Sequence, residues 1–193
     1  MCRSALVLFF LSLGSLHASD DVEAPWKHHA FDVESGLLCE IGSNTSIDYR
    51  LVQTQFSWRS PYVLRLDLDG GSTLVVRHHA SLITTLVAEG PENYYLGISG
   101  SPSLEWWSAD NKWSLYFSIG GGFGVTDSTD VVGGQGQDFT LNWFTKAGAR
   151  FQINESLALF GGPFFQHMSN GGATDPNPGI DALGFTLGAS FSF

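Results

Sequence analysis

From Gly36 onward the chain alternates apolar residues with small or polar ones in segment after segment, and this period of two constrains its fold more than any other feature. In the C-terminal segment the odd positions read Leu183, Phe185, Leu187, Ala189, Phe191 and Phe193, while the even ones read Ala182, Gly184, Thr186, Gly188, Ser190 and Ser192. Trp113 to Val125 repeats the pattern, with Trp113, Leu115, Phe117, Ile119, Phe123 and Val125 set against Ser114, Tyr116, Ser118 and glycines. Asp138 to Phe151 does so again, opposing Phe139, Leu141, Trp143, Ala147 and Ala149 to Thr140, Asn142, Lys146 and Arg150. Strands of this kind cover one face, either in a soluble sandwich or against lipid, and alternation alone does not separate the two.

Two features favour lipid. Trp106, Trp107, Trp113 and Trp143 fall towards segment ends, where the aromatic girdles of membrane barrels sit. Phe193 closes the last segment on an aromatic residue, as in bacterial outer-membrane barrels. Loop lengths then give the topology. Ala109-Asp110-Asn111-Lys112 and Asn154-Glu155 read as tight periplasmic turns, whereas Thr126 to Gln137 and Asn170 to Ile180 read as long external loops. The expected strands span 36–43, 48–68, 72–88, 94–107, 113–125, 138–151, 156–169 and 181–193. They number eight if Ser60-Pro61 is a bulge or bend within one long strand, and single-chain bacterial barrels have even numbers. The expected fold class is all-β, an eight-stranded antiparallel transmembrane β-barrel. A lumen of that width is filled by side chains, which argues against a solute channel.

Residues 1–18 carry Arg3, an apolar run from Ala5 to Leu13 and a small residue at Ala18, the order of a secretory signal peptide. Pro and acidic residues mark 19–35 as an irregular N-terminal segment, leaving 36–193 for the barrel. The adjacent His28 and His29 lack the spacing of further ligands and read as solvated; no metal is expected. Losing Arg3 with the leader takes the formal charge from −10 to −11, which argues against nucleic acid as a partner. Glu105, Arg65, Lys146 and Arg150 read as polar filling of the lumen. His78 and His79 are adjacent and so face opposite ways, and Gly120-Gly121-Gly122 reads as a site of close strand packing rather than a phosphate loop.

Chemistry concentrates at the end of the seventh segment. Leu157, Leu159 and Phe165 mark its outward face, and His167 and Ser169 share their parity. Asp181 has the parity of Leu183 and Phe185 in the next segment, so three polar side chains converge on the lipid face near the outer rim. A basic residue there costs roughly 2–4 kcal/mol at mid-bilayer and near 0–1 at the interface. Either the rim is wet and tolerant, or the three form a hydrolytic triad in which an imidazole takes the serine proton and a carboxylate holds its tautomer. Residues two apart on a strand lie roughly 6.6–6.8 Å apart at Cα, within reach of a side-chain hydrogen bond. Spacing alone leaves both readings open.

The stretch His167-Met168-Ser169-Asn170-Gly171-Gly172, followed by Pro176-Asn177-Pro178-Gly179-Ile180-Asp181, resembles the His-x-Ser-Asn motif and following loop of the lipid A 3-O-deacylases. Those are outer-membrane barrels that remove the ester-linked acyl chain at the 3-position of lipid A. The resemblance is sharp from His167 to Phe193 and looser in Gly120 to Val125 and Gly134 to Arg150. It implies that His167 is the base, Ser169 the nucleophile and Asp181 the acid that orients the base, with Asn170 and the backbone N–H of Gly172 as the oxyanion hole. The acid position is Asp here, where the better-known members have Glu. The resemblance further implies a serine-type ester hydrolase of the bacterial outer membrane that requires no cofactor and takes lipid A or lipopolysaccharide as substrate. Divalent cations bridging lipid A phosphates reconcile that substrate with the negative charge of the chain. A homodimer is left open, as is the acyl position cleaved. Two rival readings are a non-enzymatic structural or adhesive small barrel and a lipid acyltransferase.

Overall fold

The computed structural model describes residues 24–42 and 48–193; the expected signal peptide and residues 19–23 lie outside them. The strands are β1 (Ala30–Glu40), β2 (Arg50–Arg59), β3 (Leu64–Asp67), β4 (Thr73–Glu89), β5 (Tyr94–Trp107), β6 (Trp113–Thr126), β7 (Phe139–Gln152), β8 (Leu157–Ser169) and β9 (Ile180–Ser192). Antiparallel pairing runs β2-β1-β9-β8-β7-β6-β5-β4, and β2 also pairs with β4, which closes an eight-stave barrel. Among the described residues no helix is long and apolar enough to cross a membrane.

The ninth strand arises at Pro61. β2 ends with Arg59 opposite His79, and β3 begins with Leu64 opposite Val76. Five steps on one side (59 to 64) therefore face three on the other (79 to 76), two residues more than a regular ladder holds. Pro61 has no N–H to give the ladder. Ser60 N–H to His78 O (2.9 Å) and Val63 N–H to Val76 O (2.8 Å) carry the pairing across the break. The expected single bent stave is thus one path along β4, interrupted where proline requires it.

The barrel starts at Ala30 and not at Gly36. Asp32 and Glu34, whose acidity marked them as irregular, point into the lumen and are buried there by ion pairing: Arg150 lies 3.3 Å from Asp32, and Lys146 pairs with Glu34. Charge in this segment therefore reflects a polar lumen rather than disorder. The residues just before β1 are ordered too. A 3-10 turn at Pro25–Lys27 seats Trp26 against Trp107, ring centroids 5.5 Å apart, in a small apolar cluster with Ala24 and Val75 at the periplasmic mouth. His29 is not simply solvated, since its ring stacks on Trp58 (5.3 Å) and Phe193 (6.0 Å).

Alternation resolves with the usual core inverted. Leu183, Phe185, Leu187 and Phe191 are exposed, whereas Thr186 and Ser190 are buried and Ser192 is partly covered. The lumen holds Arg59, Arg77, His79, Glu105, Lys146 and Arg150, with Arg59 3.1 Å from Glu105. An apolar outside around a charged, filled interior is a protein whose surrounding solvent is lipid. Two residues depart from expectation. Trp107 belongs to no girdle: it is buried in the lumen and donates its indole N–H to Glu105 (3.0 Å). Arg65 does not fill the lumen either, because the proline break puts it on the short β3, where it pairs with exposed Asp67 at 2.7 Å. Close packing does explain Gly122, where a Cβ would come within 1.9 Å of the Ile98 carbonyl oxygen.

A nitroxide placed at Phe185 or Leu187 is expected to be accessible to oxygen dissolved in the bilayer, and one at Thr186 or Ser190 to be protected. Electron paramagnetic resonance in lipid vesicles reads this directly, and the opposite accessibilities would overturn the outward placement of every residue of matching parity on β8 and β9.

Candidate active site

Strands β8 and β9 are joined by the loop 170–179, and their register sets His167 opposite Asp181. Trp143 of β7 lies opposite His167 on the other side, so the three share one row across adjacent strands. Opposed side chains on a sheet face have Cβ atoms roughly 4.5–5.5 Å apart, which brings the imidazole and carboxylate together. His167 Nδ1 is 2.7 Å from Asp181 Oδ1, and His167 Nε2 is 3.1 Å from Ser169 Oγ. When Nδ1–H donates to the carboxylate, Nε2 keeps its lone pair and accepts from the serine hydroxyl, the tautomer a general base requires.

The surroundings fix this chain of bonds from three sides. The Trp143 ring lies 6.0 Å from His167 and 4.9 Å from Phe165, forming an aromatic wall on the β7 side. Beyond β9, Ile41 N–H donates to the Asp181 carbonyl (2.8 Å), and Gly42 packs so closely that a Cβ there would sit 3.3 Å from Asp181 Cβ. Above the ring, Gly179 adopts φ +67, and a Cβ on it would be 3.5 Å from His167 Cε1. His167 and Asp181 each remain about a quarter exposed, on the outer surface of the barrel at the end that carries the long loops. The arrangement is able to generate an alkoxide-like nucleophile facing lipid rather than the lumen.

The sequence model of one protein family, lipid A 3-O-deacylase (PagL), matches residues 41–190. The chain belongs to the lipid A 3-O-deacylase family. It is thereby an outer-membrane ester hydrolase that acts on lipid A. A solved structure described as the outer membrane enzyme PagL is similar, with a TM-score of 0.54 at 18% identity over 81% of this chain and 97% of that one. The outer membrane protein Ail of Yersinia pestis gives a TM-score of 0.37 at 14% identity over 85% of this chain and 99% of that one. No curated protein sequence matches.

In this family member the two expected oxyanion donors do not face Ser169. Asn170 is buried, and its Nδ2 donates to the carbonyls of Gln135 (2.6 Å) and Thr174 (2.8 Å). Its Oδ1 accepts the N–H of Gly172 at 2.8 Å, and its own N–H donates to Asn177 Oδ1 at 3.0 Å. A short polar side chain beginning a loop satisfies nearby backbone groups first, and here Asn170 ties the deacylase loop 170–179 together from within. Asp175, the one carboxylate of that loop, is exposed and is not the partner of His167. His79 is buried in the lumen and His78 faces outward, remote in register from β8. Among the described residues no three His, Cys, Asp or Glu side chains converge as metal ligands would.

Residues that give the site its frame carry no motif. Gly42, Trp143 and Gly179 act through closeness to the triad, and closeness across strands appears only once the register is known.

Proposed function

We propose that this deacylase cleaves the ester at the 3-position of lipid A with Ser169 as nucleophile, His167 as general base then acid, and Asp181 as the group orienting His167. The observation that carries the reading is the unbroken pair of contacts Asp181–His167–Ser169 at 2.7 and 3.1 Å on the lipid-facing surface. Ser169 Oγ attacks the acyl carbonyl carbon while its proton passes to His167 Nε2. Collapse of the tetrahedral intermediate breaks the bond to the sugar oxygen, which leaves with that proton as the 3-hydroxyl. Water, deprotonated by His167, then hydrolyses the acyl-Ser169 ester and frees the fatty acid. Asp181 keeps its charge throughout and stabilises the imidazolium.

Gly172 N–H serves the oxyanion after it exchanges its bond to Asn170 Oδ1 for one to the developing charge, a rearrangement of the kind that substrate-free sites undergo. Asn170 contributes chiefly by building the loop. Because all three triad groups come from one chain, a homodimer is not needed for the chemistry. Substrate already concentrated in the outer leaflet reaches an outward site without a lumenal pocket, in keeping with a lumen full of ion pairs.

Mass spectrometry of lipid A from cells expressing the protein is the direct test. The expected spectrum has lost one 3-hydroxyacyl mass, with the free 3-hydroxy fatty acid in the extract. An unchanged spectrum would move the reading to a structural barrel, and an added acyl mass to an acyltransferase.

A further inference from the structure

We propose that Gln135 is a positioning residue for the reaction, clamping both ends of the loop 170–179 so that Gly179 holds the His167 ring in line with Ser169. The inference rests on the triad reading above and extends it to a residue in a different loop.

Gln135 lies in the loop 127–138 between β6 and β7 and is buried, although that loop is otherwise largely on the surface. Its carbonyl oxygen accepts Asn170 Nδ2 at 2.6 Å, at the residue directly after the nucleophile. Its side-chain Oε1 accepts the N–H of Gly179 at 3.3 Å, at the other end of the same loop. Gly179 in turn faces the imidazole, since a Cβ built on it would come 3.5 Å from His167 Cε1. One residue thus touches the start and finish of the only segment that links Ser169 to Asp181 along the chain.

Gln135 is itself held from behind by Glu92 of the tight connection between β4 and β5. Gln135 N–H donates to Glu92 Oε1 (3.1 Å) and also to Ser128 Oγ, whose hydroxyl donates to Glu92 Oε1 at 2.8 Å. Tyr49 O–H donates to Glu92 Oε2 at 2.7 Å. Burial, followed by this contact with Glu92, pushes the Tyr49 phenol well above its ordinary range, so it stays a donor at any working pH. A buried carboxylate is tolerated when several donors converge on it, and Glu92 has three. Tyr49, Glu92, Gln135 and the pair Asn170 and Gly179 therefore connect the four external loops into one hydrogen-bonded cap. Loops are normally the least rigid part of a barrel, whereas a base must hold its geometry to within a fraction of an ångström. The cap supplies that rigidity at the one place where the triad depends on a loop.

The side chain is separable from the fold by substitution. Gln135→Met keeps length and volume but removes the acceptor for Gly179 N–H, leaving both main-chain bonds of residue 135 intact. Gln135→Glu keeps an oxygen at that point. Full-length protein is assayed on lipid A in mixed micelles, alongside Ser169→Ala and the heat-modifiable mobility of the folded barrel. Expected for Gln135→Met is a fall in kcat of about 10–100-fold, the scale of a 1 Å misplacement, with KM changed less than about twofold and the folded band retained. Gln135→Glu is expected not to restore the loss, because it buries a second carboxylate beside Glu92 with Gly179 N–H as its one donor. Wild-type kcat in Gln135→Met, or a rise in KM alone, would each overturn the proposal. If Gln135→Met does not fold, Gln135→Asn decides: it withdraws the same amide by one methylene, and unchanged kcat refutes the clamp while reduced kcat at constant KM supports it. A wild type that frees no fatty acid defeats the triad reading and this inference together. An active wild type, inert Ser169→Ala and fully active Gln135→Met defeat the inference alone.

Discussion

Ser169→Ala is expected to lower kcat for lipid A deacylation by about 10⁶-fold, the loss that removal of the nucleophile causes in a soluble serine protease, while leaving the barrel folded. In the proposed mechanism the hydroxyl is the group that forms the acyl-enzyme. Its deletion leaves the His167–Asp181 pair in place, but an oriented base with no proton to take does no chemistry. The structural cost is small. Ser169 is the last residue of β8, half-buried, and its hydroxyl contributes one hydrogen bond to Nε2, worth about 0.5–1.5 kcal/mol. The folded, heat-modifiable band is expected to be unchanged, as is lipid A binding. Fatty acid release from purified protein, quantified by mass spectrometry, is the measurement. Retention of more than about one hundredth of wild-type turnover would show that the serine is not the nucleophile, because no residual mechanism in a triad enzyme approaches that level.

What the sequence revealed and what it hid have a common physical basis. A period of two is a local property, so the alternation in β6, β7, β8 and β9 marks the strands, their lipid face and the outward direction of His167, Ser169 and Asp181 without any knowledge of pairing. The reading failed where the meaning of a residue depends on its surroundings. Asp32 and Glu34 looked like a solvated acidic lead-in, and they are lumenal because Arg150 and Lys146 arrive from a distant strand to neutralise them. Trp107 has the composition of an interfacial aromatic, yet its parity places it beside Glu105 on the lumenal face. Arg65 fails for another reason: its parity survives the two extra residues at Pro61, since it lies opposite lumenal Val75, but β3 has only β4 beside it, so no second strand encloses the side chain. The motif His167-Met168-Ser169 was legible because both members lie on one strand. The bonds that Asn170 and Gly172 make in the substrate-free loop were not legible, because a loop has no period and its hydrogen bonds are decided by partners such as Gln135 that no spacing reveals.

Placing the site on the outer face also separates two demands that compete in most enzymes. The lumen is free to be packed with Arg59, Glu105, Arg150 and Asp32, whose mutual burial is costly to break once one partner is removed. None of that network touches the triad, and the link between them is mechanical, through the row Trp143–His167–Asp181 on the shared staves β7, β8 and β9. Lumenal substitutions should therefore reduce stability before activity, and substitutions in the external cap the reverse.

Asp181→Asn is expected to leave the barrel intact and lower kcat by about 10⁴-fold, as loss of the triad carboxylate does in a serine protease. An amide in that place offers either an oxygen without charge or an N–H. In the first case the imidazolium formed during attack loses its counter-charge. In the second the ring is driven to the wrong tautomer, with its proton on Nε2 facing Ser169. Asp181→Glu tests fit rather than charge. It introduces the residue usual in better-known members of the family, beside Gly42, where a Cβ in place of the glycine hydrogen would already come 3.4 Å from Oδ2. Loop residues 41 and 42 are fastened to β9 by the Ile41 N–H bond to the Asp181 carbonyl, so they do not simply retreat. The longer side chain is expected to push the carboxylate past Nδ1 by about 1 Å and to cost about 10²-fold in kcat with KM little changed. Steady-state kinetics on the two variants separate the terms. Full activity in Asp181→Asn would remove the carboxylate from the mechanism, and full activity in Asp181→Glu would show that the close approach of Gly42 does not set the length of the acid.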